Sequence, residues 1–268
     1  MINSRDLSMK AQLTDLVIQR LSEAKEQLKK DFSRAHPIKV ARHFVLDNFL
    51  PTEIAEKIYA DFPKPGKMHL LSHHGELKLK YSHLRDTSSL IQDINFAIQD
   101  PRVVAIVEEI TQIKNQIPDP SRFAGGISML LKGYYINPHV DNSHDVDRKF
   151  YRAVNVLYYV SPNWQETNGG NYELWDESVE NRIVVPCLFN RLLVMETNRT
   201  SWHSVNRVVT DMPRCCVFNY FFSEHSPEGK EYLNMNSLFN PLYRPRPEQK
   251  FRRGVALVKD SLLKGFRR

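Results

Sequence analysis

His139 and Asp141 stand two positions apart in GYYINPHVDNSHD (133–145), at the end of an apolar stretch. In a strand, residues i and i+2 face the same way, so this imidazole and this carboxylate can reach one cation. A third ligand must come from elsewhere. The best candidate is His203, 62 residues beyond Asp141 in NRTSWHSVNRVV, where a polar turn again leads into a β-like run. Two imidazoles and a carboxylate on one face of an octahedron leave three neighbouring positions open, the facial arrangement of non-haem Fe(II) oxygenases. A 2-oxo acid fills two of those positions and O2 the third. H-x-D pairs also arise by chance. His73, His74, His83, His144 and His225 are rival ligands, and His144 with Asp145 offers a different metal site.

Eleven residues after His203 comes Arg214, in DMPRCCVFNYFF. Its strand is apolar and aromatic, so a guanidinium aimed inward would be a buried charge without a partner unless it met an anion. The fork of an arginine matches a carboxylate with two hydrogen bonds, and the distal carboxylate of 2-oxoglutarate is a natural occupant. The competing reading is a surface pair with Asp or Glu.

These residues need elements to position them. The chain has 268 residues, 41% of them hydrophobic and 25% charged, enough for one large domain or two small ones. From Ile127 onward short β-like runs recur at 127–136, 153–160, 171–175, 182–185, 191–196, 204–209 and 214–222. AVNVLYYV alternates as a half-buried strand does. Many short strands suggest a sandwich or jelly-roll barrel. Ahead of them lie helices: 11–32, with Leu13, Val17, Leu21, Ala24, Leu28 and Phe32 on one stripe; 51–62, with Thr52 as N-cap; and a block over 88–113 restarted at Asp100–Pro101. A short strand is expected within 40–50, irregular chain over 63–86, and a loop over 116–126. Helices first and strands later predict an α+β fold. Gly169–Gly170 reads as a tight turn, and Trp164, Trp175 and Trp202 as packing residues, Trp202 being close enough to a ligand to wall a pocket.

Three cysteines, two of them adjacent, do not make a disulfide framework and suggest a reducing cytoplasm. No run is long and apolar enough to span a bilayer, and the N-terminus has no signal-peptide pattern. Net charge is +6, yet residues 244–268 hold nine Lys/Arg and two Asp/Glu, leaving about −1 for the rest. The basic balance therefore belongs to the tail, and a nucleic-acid-binding core is not expected. The tail itself reads as a basic amphipathic helix, either docked on its own barrel or in contact with a membrane surface or acidic partner.

Taken together, YYINPHVDNSHD, RAVNVLYYVSPNW…NGGNYELWD and SWHSVNRVVTDMPRCCVFNYFF resemble the 2-oxoglutarate/Fe(II)-dependent dioxygenase superfamily, and most nearly its prolyl-4-hydroxylase-like branch. VARHFVLDNFLPTEIAEKIYADFP is similar to the N-terminal support of that branch. The resemblance covers about 120–225 and implies a double-stranded β-helix (a cupin-like jelly roll) with supporting N-terminal helices. It implies Fe(II) on His139, Asp141 and His203, 2-oxoglutarate on Arg214, O2 as second co-substrate, and ascorbate as an accessory reductant. Relatives often place a hydroxyl residue two positions after the basic one, where this chain has Cys216. That contact passes to a tyrosine such as Tyr134 or Tyr135. Asn155, on the AVNVLYYV strand, reads equally as a co-substrate ligand or as a residue satisfying backbone groups. The division then expected is an N-terminal helix over 1–38, a dioxygenase domain over 39–226 and a helical extension over 227–268. The implied activity is hydroxylation of a C–H bond in a small metabolite, a sugar-containing intermediate or a peptide side chain, with release of succinate and CO2. Specificity would lie in loops 63–86, 142–152 and 161–170. Two rivals remain: a non-catalytic jelly-roll binding module, and a zinc-type hydrolase using His139, Asp141 and His144.

Overall fold

The apolar stripe at the N-terminus folds as expected. In the computed structural model, which describes residues 8–73, 75–81, 84–119 and 125–240, α1 (Met9–Ser33) buries Leu13, Val17, Leu21, Leu28 and Phe32, and Ser8 caps it. Helices α3 (Ser89–Ile98) and α4 (Pro101–Thr111) follow, capped by Ser88 and Asp100. Each cap oxygen accepts an otherwise orphaned backbone N–H. In α2 (Thr52–Ala60) the N-cap is Pro51, not Thr52, and no side chain caps it. Proline has its φ set for a helix start, so Thr52 moves one place into the helix.

Thirteen strands form one curled antiparallel sheet among the described residues: β1 (His43–Leu46), β2 (His69–His73), β3 (Glu76–Tyr81), β4 (Gln116–Pro118), β5 (Gly126–Leu130), β6 (Tyr135–Val140), β7 (Tyr151–Tyr159), β8 (Tyr172–Trp175), β9 (Arg182–Val185), β10 (Arg191–Glu196), β11 (His203–Val205), β12 (Arg214–Ser223) and β13 (Leu238–Phe239). Their order is β1-β10-β7-β12-β5-β3-β6-β11-β8-β9, with β2 on β3, β4 on β12 and β13 on β6. The sheet folds over at β3. The far half of that strand (Leu79, Lys80, Tyr81) pairs with β5, and its near half (Glu76, Leu77) pairs with β6. This is the jelly-roll, double-stranded β-helix architecture, with helices at its N-terminal end.

Alternation assigns the two faces. Val154, Val156 and Tyr158 of β7, with Cys215, Val217 and Phe221 of β12, pack under the helices. Leu157 and Tyr159, with Cys216, Phe218 and Tyr220, line the inside of the roll together with Leu193 and Met195 of β10. The register sets these side chains opposite one another: Cys216 with Tyr159, Phe218 with Leu157, and Tyr220 with Asn155. Behind them Asn190 ties α2's approach to the sheet. It accepts hydrogen bonds from the Leu50 amide and the Tyr158 hydroxyl and donates to the Leu50 carbonyl.

Three expectations fail. Residues 63–86 are not irregular but contain the β2–β3 hairpin. The two-residue period was present in Glu76-Leu77-Lys78-Leu79-Lys80, but lysines on the polar face made it look like loop. The run 127–136 is two strands, split by a turn in which the Tyr134 amide donates to the Leu131 carbonyl and Gly133 takes φ 87°. The loop 116–126 includes β4. The Gly169–Gly170 turn is as expected, and its cause is visible. Both have positive φ, and a Cβ on Gly169 would lie 1.9 Å from the Arg207 carbonyl oxygen. The helix expected in the tail lies outside the described residues, as do His74 and His83. No helix among the described residues is long and apolar enough to cross a membrane.

Candidate metal and co-substrate site

The 62-residue gap closes through one antiparallel pairing. His203 opens β11 and stands directly opposite His139 of β6. Their rings are 4.1 Å apart, centre to centre. Asp141 follows β6, with Oδ1 3.7 Å from His139 Nε2 and Oδ2 3.6 Å from His203 Nε2. One ligand atom from each residue lies within 4.8 Å of the other two.

The protonation states suit a cation. His139 Nδ1 is 2.9 Å from the Asn137 carbonyl and His203 Nδ1 is 2.8 Å from the Ser201 carbonyl. A carbonyl can only accept, so both rings donate from Nδ1 and keep the Nε2 lone pair for the site. Burial, with the neighbouring imidazole, pushes His139 down to about 3. Burial also lowers His203. For Asp141 burial is the largest single influence and works in the opposite direction, but Arg152, the two imidazoles and the Asn155 amide together outweigh it and hold the carboxyl well below the usual carboxylate range. Two neutral imidazoles and an ionised carboxylate are what Fe(II) requires. The donor set therefore fits the metal.

Aromatic and amide groups brace it. Phe239 stacks on His139 and Tyr172 on His203. Asn155 Nδ2 donates to Asp141 Oδ2 at 2.7 Å, and Arg152 reaches the same oxygen at 3.2 Å.

Arg214 opens β12 inside the roll and is 4% exposed. It lies on the Tyr159 ring, 4.7 Å from its centre, and one Nη is 3.3 Å from Cys187 Sγ. No carboxylate is within ion-pair reach among the described residues. Arg214 Nε, the Tyr159 hydroxyl and Asn155 Oδ1 are buried without hydrogen-bond partners. Such groups are costly unless something satisfies them. A dicarboxylic acid reaching from Asp141 towards Arg214 would accept from Arg214 Nε and the Tyr159 hydroxyl, while Asn155 Oδ1, itself an acceptor, calls for a donor from elsewhere. The tyrosine beside Arg214 is Tyr159 rather than Tyr135, whose ring carries Arg207 at 4.9 Å. Asn155, expected to touch the co-substrate, donates to Asp141 and leaves only its oxygen unused.

Two of the rival histidines are engaged elsewhere. His73 faces Glu76 at 2.7 Å, and His144 bonds Ser143 and lies tilted against the Tyr151 ring at 4.1 Å. A cavity of about 830 Å³ opens over His139 and Asp141, walled by β3, by residues 142–152 and by 233–239. Loop 161–170 does not line it, whereas the strap at 233–239 does. Trp164 and Trp175 are packed, donating to the Gly169 carbonyl and to Ser204.

Residues 125–222 match the family model described as the 2OG-Fe(II) oxygenase superfamily. They belong to that superfamily. The matched oxygenase segment contains all three candidate ligands and Arg214, so the chain is a 2-oxoglutarate-dependent dioxygenase with Fe(II) as its metal. Among curated proteins none matches it by sequence. Solved structures share its fold. A Pseudomonas putida prolyl-4-hydroxylase is 13% identical, covering 74% of this chain and 99% of that one at TM-score 0.53. A prolyl 4-hydroxylase from Phytophthora capsici is 13% identical, covering 86% and 72% at TM-score 0.54. HygX from Streptomyces hygroscopicus, with nickel and 2-oxoglutarate bound, is 11% identical, covering 74% and 93% at TM-score 0.50.

Arg152, Lys80, Tyr159 and Tyr172 were missed from sequence. In a regular strand Arg152 would share the helix-covered face of Val154. A register shift opposite Phe221/Phe222 breaks the period, and the guanidinium lies over Tyr220 instead, at 3.8 Å.

Proposed function

We propose that the oxygenase hydroxylates a C–H bond of a small metabolite, a sugar-containing intermediate or a peptide side chain. In this reading His139, Asp141 and His203 hold Fe(II), and Arg214 with Tyr159 receives the distal carboxylate of 2-oxoglutarate. Bound Fe(II) with 2-oxoglutarate and O2 supplies an oxidant able to take hydrogen from carbon, with succinate and CO2 released. The chain's own part is geometric. The Asn137 and Ser201 carbonyls fix the imidazole tautomers. Asn155 and Arg152 hold the carboxylate of Asp141. The inner wall of Leu157, Leu193 and Phe218 excludes water.

The observation that carries this reading is the meeting of two Nε2 lone pairs and one carboxylate within 4.8 Å. The zinc-hydrolase alternative needs His144, which the fold turns onto Tyr151. A binding module has no use for the same set. The test is spectroscopic. Under anaerobic conditions Fe(II) and 2-oxoglutarate should give a weak visible charge-transfer band. Asp141→Ala and His203→Ala should abolish it, and Arg214→Ala should weaken it. A band that survives loss of His203 removes the third ligand and the proposal with it.

A further inference from the structure

The cavity above the metal ligands holds a charge imbalance that the co-substrate does not cancel. Three acids line it, and each is occupied. Glu76 is paired with Lys78 at 2.6 Å. Asp145 accepts the backbone amides of Lys149 and Phe150. Asp141 is the candidate metal ligand. Of the cations, Lys78 is answered by Glu76, and Arg148 is exposed at the rim. Two lie deeper. Arg152 is 4% exposed, with one Nη on Asn142 at 2.6 Å and Nε without a partner. Lys80 projects from β3 over the Phe218 ring at 5.2 Å, and no carboxylate lies within ion-pair distance of it among the described residues.

Loading the site does not help these two. Fe(II) carries two positive charges and Arg214 one, and Asp141 with doubly ionised 2-oxoglutarate balances them. The inner site is then neutral, and Asp141 can no longer be counted against Arg152 as well. Arg152, buried, and Lys80, half-buried, are left as neighbouring cations facing an open cavity, a costly arrangement without an anion.

Resting on the oxygenase reading above, the geometry points to a substrate that carries a carboxylate or phosphate, received by Lys80 and Arg152 beside the iron ligands. The rest of such a molecule meets an apolar rim. Val146, Leu233 and Met235, among the most exposed large hydrophobic residues of the described chain, line the same cavity. The substrate class is therefore a small organic acid or phosphate ester with an apolar portion. A neutral peptide side chain does not answer the charge.

The test uses four probes sharing one chain: hexanoate, hexyl phosphate, hexan-1-ol and hexylammonium. Binding is followed by proton NMR on the full protein loaded anaerobically with Mn(II) and saturating 2-oxoglutarate, and separately on the metal-free protein by saturation transfer. At least one anionic probe should bind about tenfold or more tighter than hexanol, with its resonances broadened by Mn(II). The tighter of the two distinguishes carboxylate from phosphate. Lys80→Met should bring the anion close to hexanol, and Lys80→Arg should keep the preference. Arg152 is left intact because it also holds Asp141. Equal binding of hexanol or hexylammonium, binding of no probe, absence of Mn(II) broadening, or a preference that survives Lys80→Met overturns the inference. Failure of the oxygenase reading has a separate signature. The resonances of 2-oxoglutarate itself would stay sharp, and the anion preference would still be read on the metal-free protein.

Discussion

Arg214→Met separates a co-substrate anchor from a structural arginine, because the two roles predict opposite signs. In the ligand-free protein the guanidinium is buried on Tyr159 with Nε unpartnered and only a thiol near one Nη. Removing an unsatisfied buried donor returns about 1–3 kcal/mol, and losing the stack on the ring costs about 0.5–2 kcal/mol. Methionine is unbranched and flexible enough to fill the space. The ligand-free variant should therefore unfold within about 1 kcal/mol of the parent, or be more stable. Co-substrate binding should suffer. Truncating one partner of a buried charge pair costs about 2–5 kcal/mol, a rise in Kd of about 30- to 4,000-fold. Thermal unfolding with Mn(II) reads both effects. At 2-oxoglutarate a hundred times its Kd the parent gains about 2.7 kcal/mol, roughly 5–10 °C for a domain of this size. A variant weakened about a hundredfold should gain about 1 °C at the same concentration. A ligand-free variant destabilised by more than about 2 kcal/mol, with the 2-oxoglutarate shift intact, would show that Arg214 holds the fold and not the acid.

Two further outcomes follow from local geometry. Gly169→Ala places a Cβ 1.9 Å from the Arg207 carbonyl oxygen at φ +70°, so backbone must move. It should cost about 3 kcal/mol or more in denaturant unfolding, whereas Gly66→Ala, facing open space, should stay within about 0.5 kcal/mol; similar values for the two would contradict the close approach. Burial, helped by Lys78 and Arg152 and opposed by Glu76 and Asp141, pushes Lys80 down to about 8. Hexanoate stays ionised in this range, so its affinity should fall as pH rises from about 7 to about 9.5 while Lys80 loses its charge. Between about 8 and 10.5 the folded state binds fewer protons here than the unfolded chain, so this group makes ligand-free stability rise with pH, opposite to the affinity. A flat hexanoate affinity across that window would place the anion elsewhere.

The parts of the site that follow a short period were legible in sequence. His139 and Asp141 share a strand end, and α1 shows its stripe directly. His203 and Arg214 could be proposed because each begins a β-like run, and the pairing of His203 with His139 is the long-range event that sequence alone does not state. What stayed hidden depends on broken or disguised periods. The lysines of β3 disguised a central strand as loop, and with it Lys80. The register shift that turns Arg152 inward has no mark in the sequence beyond an arginine where alternation expects an apolar residue. Tyr159 stands beside Arg214 because β7 pairs with β12 and sets it opposite Cys216, whereas Tyr135 opens β6 opposite Leu77. Those long-range pairings are not written in the local pattern of either run.

The two inner arginines make opposite use of the same device. Each sits over a tyrosine ring of the roll, Arg214 over Tyr159 at 4.7 Å and Arg152 over Tyr220 at 3.8 Å. Tyr220 pairs with Asn155 and Tyr159 with Cys216, so the two rings are separated by four positions along neighbouring strands, about 13 Å at the rise of an extended chain. A ring contact of this kind uses none of the N–H groups: Arg214 Nε is left without a partner, whereas Arg152 gives its two Nη groups to Asn142 and Asp141 and leaves Nε over. At the deep end a Cβ on Gly170 would lie 2.9 Å from Arg214 Cδ, so the glycine lets the chain pass close beside the arginine stem. At the open end Arg152 shares its cavity with Lys80 and an apolar rim. In the proposed reading the two side chains take different anions, because one is enclosed and the other faces the cavity. The metal ligands stand by the open end, where Asp141 joins Asn155 and Arg152.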